Sequence, residues 1–555
     1  MANNRHIIIA VLAMSCGLLG SPQVAADTLT VCNNGCDFTS INAAIAAASN
    51  GDVVQLSGQT YFEGAPIDTL GKQIRIRGVR GADGVPLSVL DGASSHTILR
   101  CESGESSATV LEDLVMQNGE ADDFLSGGGV SIHQSSPVFI RCWIRGNGGY
   151  WGKGVFVFLG SPVFIDCHVV GNSGSGVYVQ SSSSIFTNCR FQGNSAYEGG
   201  GLNVSYGTAT LIGCQFVANT AIESGGGVIC RGDISLRDCT LIDNAVISSE
   251  LPELVFNGGG GLAVTEGSAS ITDCDFAGNS AVYGGGLNLF DSSAEISNSN
   301  FDENYADMGA GIVTFDRGYF GPRVVSITGC TFSNNYADLY GAGISVRGLT
   351  GSPSKDVGLV NCRFEGGLAS RGTAAYFDNA GDVALSQCTF VNGTGNLVYN
   401  RTSSPEFSSC VFTNNPGSSA IWNYLSSNPT IDSCTFQYNY VEPDFPLFYN
   451  VLYSLANSRP KVFNTIMCSN GNGINQVIGP FEDLGGNCIQ QSCDGCLPLT
   501  PPCPADFNAD QTINGADLAL LLGSWATAAG DLNADGTTDG ADLALVLGAW
   551  GPCPQ

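Results

Sequence analysis

The stretch GGGVICRGDISLRDCTLIDN, residues 225–244, has two halves that recur through most of the chain. A run of glycines leads into an apolar strand, a short polar link follows, and a second strand carries Cys-x-apolar shortly before an asparagine. The same pattern appears as GGGLNLFDSSAEISNSNFDEN at residues 284–304. Repetition at about 20 to 50 residues is typical of solenoids, whose units bury their apolar faces against one another. We therefore predict a stacked array.

One position in the second half of the unit sets the register of the repeat. Alternation around Cys142 places it with Ile140 and Ile144 on the inward face of a strand. The residues in this position are Asp113, Cys142, Cys167, Cys189, Cys214, Cys239, Cys274, Ser299, Cys330, Cys362, Cys388, Cys410, Cys434 and Thr465. They predict about fourteen coils and, at about 4.8 Å per coil, a rod roughly 65 Å long.

The asparagine that closes each unit is predicted to lie at a turn, where its side chain bonds backbone and tolerates left-handed geometry. Stacked at equivalent points, these residues are expected to form an asparagine ladder. They are Asn118, Asn147, Asn172, Asn194, Asn219, Asn244, Asn279, Asn304, Asn335, Asn415, Asn439 and Asn470.

Composition favours the array over a set of globular domains. Glycine accounts for 74 of 555 residues, and only 13% of residues are charged. The net charge is -29, from 50 acidic and 21 basic residues, and no basic run occurs. This charge argues against binding nucleic acid through its phosphates.

The N-terminus is typical of a secretory signal peptide. Arg5 and His6 precede an apolar run at residues 7–19, and small residues follow up to Ala26. A membrane anchor is the alternative, but the run is shorter than the roughly 18 residues needed to span a bilayer. We assign residues 1–26 to the signal and expect a secreted or cell-surface protein.

An amphipathic helix is predicted next, because Ile41, Ala44, Ile45 and Ala48 share one helical face. It precedes GDVVQL, GQTYFEG and GKQIRIRG, between residues 51 and 78. This order resembles the first coil of right-handed parallel β-helix proteins of the pectate-lyase-like superfamily. The resemblance implies an all-β solenoid over residues 27–487, with the helix capping its apolar end.

A second resemblance lies in the repeat. The pairing of GG(A/G)-apolar with F-x-x-N, over residues 127–439, is similar to the polymorphic outer-membrane-protein repeat of bacterial surface β-helices. The F-x-x-N half is intact at Phe191, Phe216, Phe276, Phe301, Phe332, Phe412 and Phe436. This resemblance implies the fold and specifies no activity.

After a Cys- and Pro-rich linker, residues 488–502, two copies of an acidic motif occupy residues 503–555. They read ADFNADQTINGADLALLLGSW and GDLNADGTTDGADLALVLGAW. Each places oxygen-bearing side chains at alternate positions and a carboxylate at the twelfth, as a Ca²⁺ loop requires. The predicted ligands are Asp506, Asn508, Asp510, Thr512 and Asp517, then Asp531, Asn533, Asp535, Thr537 and Asp542, with both threonines acting through their carbonyls. Asx-rich turns without a metal are the alternative.

The two motifs resemble a type I dockerin, which implies Ca²⁺ binding, a small α-helical domain and a cohesin-like or cell-surface anchoring partner. The helices are expected to pack through Leu518, Leu521, Leu543 and Val546. Gln511 replaces the glycine of the first loop, which predicts a weaker first site. Gly515, Ala516, Gly540 and Ala541 lie where the family often has hydroxyls, so a different partner surface is expected.

The cysteines divide into two groups. Those of the repeat are predicted to be free, buried thiols, because parallel Cβ atoms almost 5 Å apart fit disulfide geometry poorly. Cys32 with Cys36, the group Cys488, Cys493 and Cys496, and Cys503 with Cys553 lie in polar segments and are disulfide candidates.

For catalysis, Glu198 and Glu223 follow their asparagines at the same distance, and so do Asp307 and Asp338. Stacked on adjacent coils, each pair suits a retaining glycosidase or a Ca²⁺ site. Solvated turns are the alternative. Tyrosines lie in the same turn, where sugar rings could stack: Tyr197, Tyr283, Tyr305, Tyr336 and Tyr340.

Two functional hypotheses follow. The first is an exported, non-catalytic β-helix that binds carbohydrate or a cell surface and is attached through a calcium-dependent tail. The second is a polysaccharide lyase or glycoside hydrolase that acts in a groove of the β-helix. Fold alone does not choose between them.

Overall fold

The computed structural model describes residues 26–121, 123, 125–149, 153–247, 258–318, 323–348, 356–416, 419–439, 450–470, 476–493, 496, 505–507, 512–525, 527, 530–532 and 537–552. The signal segment lies outside these residues, apart from Ala26. So do Asn508, Asp510, Asn533 and Asp535 of the predicted calcium ligands, and Cys503 and Cys553.

Three parallel sheets run along the main body. Sheet 1 contains the strands that follow the glycine runs. Its members are Ile67–Asp68, Leu99–Cys101, Val130–His133, Lys153–Phe158, Ser175–Gln180, Leu202–Ile212, Val228–Arg237, Leu262–Thr265, Leu287–Phe290, Ile312–Asp316, Ile344–Gly348, Ala375–Asp378, Asn396–Arg401, Ser419–Tyr424, Asn450–Ser454 and Val477–Ile478.

Sheet 2 contains the strands that follow sheet 1 in each coil. Leu202–Ile212 and Val228–Arg237 run through both sheets without a break. The other members are Thr28–Val31, Val53–Leu56, Arg75–Arg77, Val110–Glu112, Val138–Ile140, Val163–Ile165, Ser183–Thr187, Ser268–Thr272, Ser293–Ser297, Val324–Thr328, Asp356–Val360, Val383–Ser386, Glu406–Ser408, Thr430–Asp432, Lys461–Phe463 and Glu482–Asp483.

Sheet 3 contains the strands after the cysteine position. They are Thr60–Tyr61, Ser88–Asp91, Leu114–Gln117, Trp143–Arg145, His168–Val170, Arg190–Gln192, Gln215–Val217, Thr240–Ile242, Asp275–Ala277, Asn300–Asp302, Thr331–Ser333, Arg363–Glu365, Thr389–Val391, Val411–Thr413, Thr435–Gln437, Ile466–Cys468 and Cys488–Ile489. The described residues thus give 17 strands. The sequence predicted about fourteen coils, and Thr60–Tyr61, Ser88–Asp91 and Cys488–Ile489 are strands of sheet 3 that the cysteine position did not mark.

A fourth, seven-stranded sheet follows the asparagines in the middle of the rod. Sheet 4 consists of Ser195–Glu198, Thr220–Ser224, Ala245–Val246, Ser280–Tyr283, Tyr305–Met308, Tyr336–Tyr340 and Leu368–Arg371. Glu120–Ala121 and Gly148–Gly149 form a separate short parallel pair. Helix α1, Ile41–Ala47, buries Ile41, Ala44 and Ile45 against the first coils, as predicted.

The interior is a set of ladders. Phenylalanines stack coil on coil, and the ring centroids of Phe390 and Phe412 lie 4.3 Å apart. The cysteines of the repeat are free thiols and buried, as predicted. Their sulfur atoms also lie near backbone carbonyls: Cys388 Sγ lies 3.4 Å from the oxygen of Ser386 and 3.5 Å from that of Leu359.

The asparagine ladder is confirmed. Asn219 Nδ2 donates to Asn244 Oδ1 at 3.0 Å and to the Phe191 carbonyl at 3.0 Å, and the Asn219 backbone N–H donates to the same Oδ1 at 3.1 Å. The left-handed geometry, however, belongs to the preceding residue: Ala218 has φ 52° and Asp243 has φ 55°.

Two predicted register assignments in one early coil were wrong by a single residue. Asn118 is exposed and left-handed, and the backbone N–H of Gly119 takes the ladder position by donating to Asn147 Oδ1 at 2.8 Å. Asp113 is likewise left-handed, and Leu114 is the buried residue at the cysteine position.

Disulfides join Cys32 to Cys36, Cys468 to Cys493 and Cys488 to Cys496. The last two close the C-terminal coil, and strand Cys488–Ile489 pairs with Ile466–Cys468. Coil stacking therefore continues past residue 487, where the sequence pattern placed the boundary. Within the described part of the chain, no helix is long and apolar enough to cross a membrane.

Helices α2, Gly515–Gly523, and α3, Gly540–Gly548, form the tail with the antiparallel pair Thr512–Ile513 and Gly551–Pro552. Leu521 and Val546 are fully buried, and Leu518 and Leu543 pack against them, as predicted.

Candidate functional site

The outward face of sheet 1 carries a row of aromatic side chains on its C-terminal coils. Tyr376 pairs in register with Tyr399, Tyr399 with Trp422, and Trp422 with Tyr453. Their ring centroids lie 5.7, 6.1 and 4.1 Å apart along the row. The rings face one another and pack closely: Tyr376 and Tyr399 are buried, whereas Trp422 and Tyr453 are partly exposed.

An arginine and aspartate cluster lies beside this row. Arg347, Asp378 and Arg401 occupy one register column of sheet 1. Arg401 Nη1 lies 3.0 Å from Asp378 Oδ2, and Arg347 Nη2 lies 3.8 Å from the same oxygen. One carboxylate therefore organises two guanidinium groups on adjacent coils.

Electrostatics keeps this cluster charged and its tyrosine neutral. The negative charge of Asp378 raises the pKa of Arg401 above its usual value. Burial, with a smaller contribution from Asp378, raises the pKa of Tyr376 to about 12. The cluster thus combines two guanidinium groups, one carboxylate and a buried phenol.

Sheet 4 lies beside this cluster. Tyr283, Met308, Tyr340 and Arg371 form one register column. Arg347 Nη1 lies 3.0 Å from Met308 Sδ, and the ring of Tyr340 stacks on Tyr376 at 4.5 Å. The Arg371 guanidinium carbon lies 5.7 Å from the centre of Tyr340 and 5.4 Å from that of Tyr399. A third arginine thus borders the aromatic row.

The predicted stacking of Glu198 on Glu223 was wrong. The register shifts after Ala196, so that Glu198 pairs with Ser224. Arg231 Nη1 lies 2.9 Å from Glu198 Oε2, and Arg231 Nη2 contacts Oε1, whereas Glu223 accepts from the Tyr197 hydroxyl. Arg231 therefore neutralises Glu198.

Asp307 and Asp338 do lie on adjacent strands, because Ala306 pairs with Ala337. The Tyr305 hydroxyl donates to Asp338 Oδ2 at 2.5 Å, which raises the pKa of Tyr305 to about 12. Partial burial, with a smaller effect from Asp338, raises the pKa of Asp307. The environment of Asp307 therefore favours its protonated form.

Sequence reasoning missed Arg347, Asp378 and Arg401, which are too far apart in the chain to form a motif. Their signal was the spacing of strands that follow the glycine runs, read for outward residues. Lys153 was also passed over. Its Nζ lies 4.2 Å from the ring centre of Phe156 and 5.0 Å from that of Tyr178, and burial lowers its pKa to about 8.

In the tail, the two predicted twelfth-position carboxylates are fully buried. Asp517 Oδ2 accepts from the Asn514 backbone N–H at 2.9 Å, and Asp542 Oδ2 accepts from that of Asp539 at 2.8 Å. Asp542 Oδ1 also accepts from the Leu532 N–H at 2.7 Å, which ties the second loop's start to its end. Among described residues, no three His, Cys, Asp or Glu side chains are grouped as a metal site.

Comparison with known families decides the architecture. The model of the right handed beta helix region matches residues 93–241, 229–354 and 321–496. The chain belongs to the right-handed β-helix family. The handedness implied by the pectate-lyase-like resemblance is thereby confirmed for this right-handed β-helix.

Solved structures similar to this β-helix include the catalytic domain of Agl-KA, with 12% identity, 81% of this chain and 64% of that one covered, and a TM-score of 0.23. Tailspike protein 3 of bacteriophage CBA120 has 12% identity, with 80% of this chain and 57% of that one covered and a TM-score of 0.26. The PL6 family alginate lyase AlyGC has 9% identity, with 84% of this chain and 100% of that one covered and a TM-score of 0.15.

The chain spans less than two thirds of the first two of these structures. At these TM-scores, the likenesses carry no argument about what this β-helix does. No curated protein matches the chain.

Proposed function

We propose that this right-handed β-helix is a non-catalytic scaffold that binds an acidic polysaccharide along the outward face of sheet 1. The supporting observation is the cluster of Arg347 and Arg401 around Asp378. The chain has only 21 basic residues against 50 acidic ones. Two of them share one carboxylate beside an aromatic row, in an arrangement suited to carboxylate groups on a polymer.

Two hydroxyl groups lie next to the carboxylate of this cluster. The Tyr376 hydroxyl lies 3.4 Å from Asp378 Oδ2, and Thr402 Oγ1 lies 3.4 Å from Oδ1. The two arginines lie on the coils on either side of Asp378, about 10 Å apart along the rod, so a linear ligand could contact both. Binding of this kind needs no catalytic residue.

Affinity electrophoresis and calorimetry test the proposal. Polygalacturonate and alginate should bind, with and without calcium, whereas a neutral glucan should not. The Arg347→Ala/Arg401→Ala variant should weaken binding about tenfold or more. Arg363→Ala is the matched control, because this arginine lies on sheet 3 and contacts Glu365. Equal affinity of both variants for the acidic polymers would exclude the Arg347 and Arg401 cluster as the binding site.

A second candidate is a polysaccharide lyase or glycoside hydrolase, favoured by the raised pKa of Asp307. General acid catalysis needs a carboxyl whose pKa lies above its ordinary value, and the shift of the Asp307 pKa has that direction. Release of new chain ends from acidic glycans, lost in Asp307→Asn and retained in Asp302→Asn, would support the enzyme. Glu198→Gln should leave turnover unchanged, because Arg231 already neutralises Glu198.

We infer that the tail binds Ca²⁺ and attaches the scaffold to a cohesin-like or cell-surface partner. The duplicated oxygen-ligand spacing and the burial of Asp517 and Asp542 at the two helix starts support this. In the full-length protein, the tail should unfold in a separate calorimetric transition at low temperature. Calcium should raise the midpoint temperature of this transition, and a chelator should reverse the shift. Asp542→Ala should abolish the calcium-dependent shift. Immobilised cohesin domains then test the partner, with and without calcium.

Export is part of the same proposal. The apolar run at residues 7–19 and the small residues before Asp27 support a cleaved signal. Secretion of the full-length precursor should yield a mature N-terminus at or near Asp27. Mass spectrometry of protein from the culture medium checks this expectation, and an uncleaved, membrane-bound product would contradict it.

A further inference from the structure

Sheet 4 presents a line of exposed apolar side chains on the surface of the rod. Tyr197, Ile222 and Ile247 are 52%, 46% and 60% exposed, and Tyr305, Tyr336 and Leu368 are 43%, 41% and 48% exposed. We call these six residues the apolar band. Soluble proteins rarely leave contiguous apolar patches of this kind uncovered unless something binds there.

Strand register places these six residues in two neighbouring columns of sheet 4. Ala221 pairs with Val246, which places Ile222 beside Ile247 on the next coil. Tyr305 pairs with Tyr336, and Tyr336 with Leu368. The strand Ser280–Tyr283 lies between the two groups, and Ser280 pairs with Ala245 and with Tyr305. Tyr305, Tyr336 and Leu368 therefore lie two residues along the strand from the column of Ile222 and Ile247, and each group of three spans about 10 Å across its strands.

The edges of the band are acidic. Glu223 accepts from the Tyr197 hydroxyl, and Asp338 accepts from the Tyr305 hydroxyl, so each carboxylate is fixed next to an aromatic residue of the band. Within the seven described strands of sheet 4, Arg371 is the single basic residue, and it lies over Tyr340 and Tyr399 instead.

We propose that the apolar band docks a protein surface that carries an apolar ridge bordered by lysine or arginine. Charge complementarity selects this partner, because like charges across an interface oppose association. A second copy of this chain would bring another net charge of -29. The inner strands of sheet 4 are paired on both sides, so the partner meets side chains and does not add a strand.

The test uses the full-length protein and an amphipathic helical peptide of about 18 residues, with leucine on one face and lysine on the other. The same peptide with glutamate in place of lysine is the charge control. The lysine peptide should bind, and binding should weaken between about 50 mM and about 300 mM salt. The glutamate peptide should not bind.

Paired substitutions locate the interaction. Ile222→Asn/Ile247→Asn should raise the dissociation constant about tenfold or more. Val324→Asn/Val360→Asn is the matched control, because these valines are 52% and 40% exposed on sheet 2. If the apolar variant unfolds, Glu223→Gln/Asp338→Asn provides an independent test, since it should reduce both affinity and salt dependence.

Three outcomes would overturn the proposal. Equal binding of the lysine peptide by all variants would mean that it follows only the net charge. Binding of both peptides would remove the role of the acidic edges. Concentration-dependent dimerisation that is lost in Ile222→Asn/Ile247→Asn would assign the band to a second copy. None of these outcomes tests the proposed polysaccharide site at the Arg347, Asp378 and Arg401 cluster of sheet 1, which has its own experiment.

Discussion

Along the strand Ala375–Asp378, alternate side chains enter two different environments. Ala375 and Phe377 join ladders of similar residues inside the rod. Tyr376 and Asp378 face outward, where the corresponding residues on the preceding coil are Ser345 and Arg347. The inward face repeats from coil to coil, whereas the outward face changes. The repeat therefore specifies the architecture, and departures from it on the outward face provide the candidate binding groups.

The largest expected effect comes from breaking an inward ladder. Phe276→Ala should cost about 3 to 5 kcal/mol of unfolding free energy, since it leaves a cavity beneath Phe301. Tyr206→Ala, at a side chain that is 79% exposed, should cost less than about 0.5 kcal/mol. Chemical denaturation measures both, and similar losses would contradict the distinction between the faces.

The asparagine ladder should be next in size. Asn244→Ala should cost about 2 to 3 kcal/mol, because it removes the buried amide that donates to the Phe216 carbonyl and accepts from Asn219. Asn300→Ala serves as the control, since this asparagine is exposed on sheet 3 and donates to Asp275. Equal thermal shifts in the two variants would show that the ladder adds no special stability.

The thiols should matter less, and mainly as donors. Cys388→Ala should cost about 1 kcal/mol or more by leaving the Ser386 carbonyl without its thiol partner. Cys388→Ser should be better tolerated, because Ser299 occupies the same position and donates to the Ser297 carbonyl at 2.8 Å. Greater loss in the serine variant, measured by denaturant unfolding, would instead favour a purely apolar role.

On the outward face, Asp378→Asn should change binding more than folding. The substitution releases Arg347 and Arg401 from their shared counter-charge, so affinity for polygalacturonate should rise severalfold, by about 1 kcal/mol or less. Calorimetric titration of wild type and variant measures this. A fall in affinity would mean that Asp378 is needed to hold the arginines in place.

The smallest effect is a pH dependence at Asp307. Its pKa is raised in the folded protein, so the folded state binds the proton more tightly than the unfolded chain does. Stability should therefore fall as the pH rises through the window that begins near the usual value of 3.8. Asp307→Asn should remove this component, which parallel melts at several pH values would reveal. An unchanged slope would contradict it.

Much of the fold was predictable because the inward positions repeat. The cysteine position indicated the register of most strands of sheet 3, but Thr60–Tyr61, Ser88–Asp91 and Cys488–Ile489 lack the marker and were missed. Asp113 and Asn118 were placed one residue off, because a left-handed residue precedes each buried position and an aspartate or asparagine fits either place.

The outward sites were harder to predict. Glu198 and Glu223 share a sequence spacing, yet the register shift after Ala196 separates them, and the partner of Glu198 came from sheet 1. Sequence spacing fixes which coil carries a residue, but a one-residue bulge changes which neighbour it meets. Arg347, Asp378 and Arg401 needed the register itself.

The two C-terminal disulfides also affect whether one molecule can associate with another through its terminal coil. Cys488–Ile489 is the last strand of sheet 3 among the described residues, and an unpaired strand edge is a template for another chain. Cys468–Cys493 and Cys488–Cys496 fold the following segment back onto this terminal coil. Reduction of these disulfides should therefore expose the unpaired edge of the terminal coil. We expect the reduced protein to aggregate into filaments of molecules joined end to end.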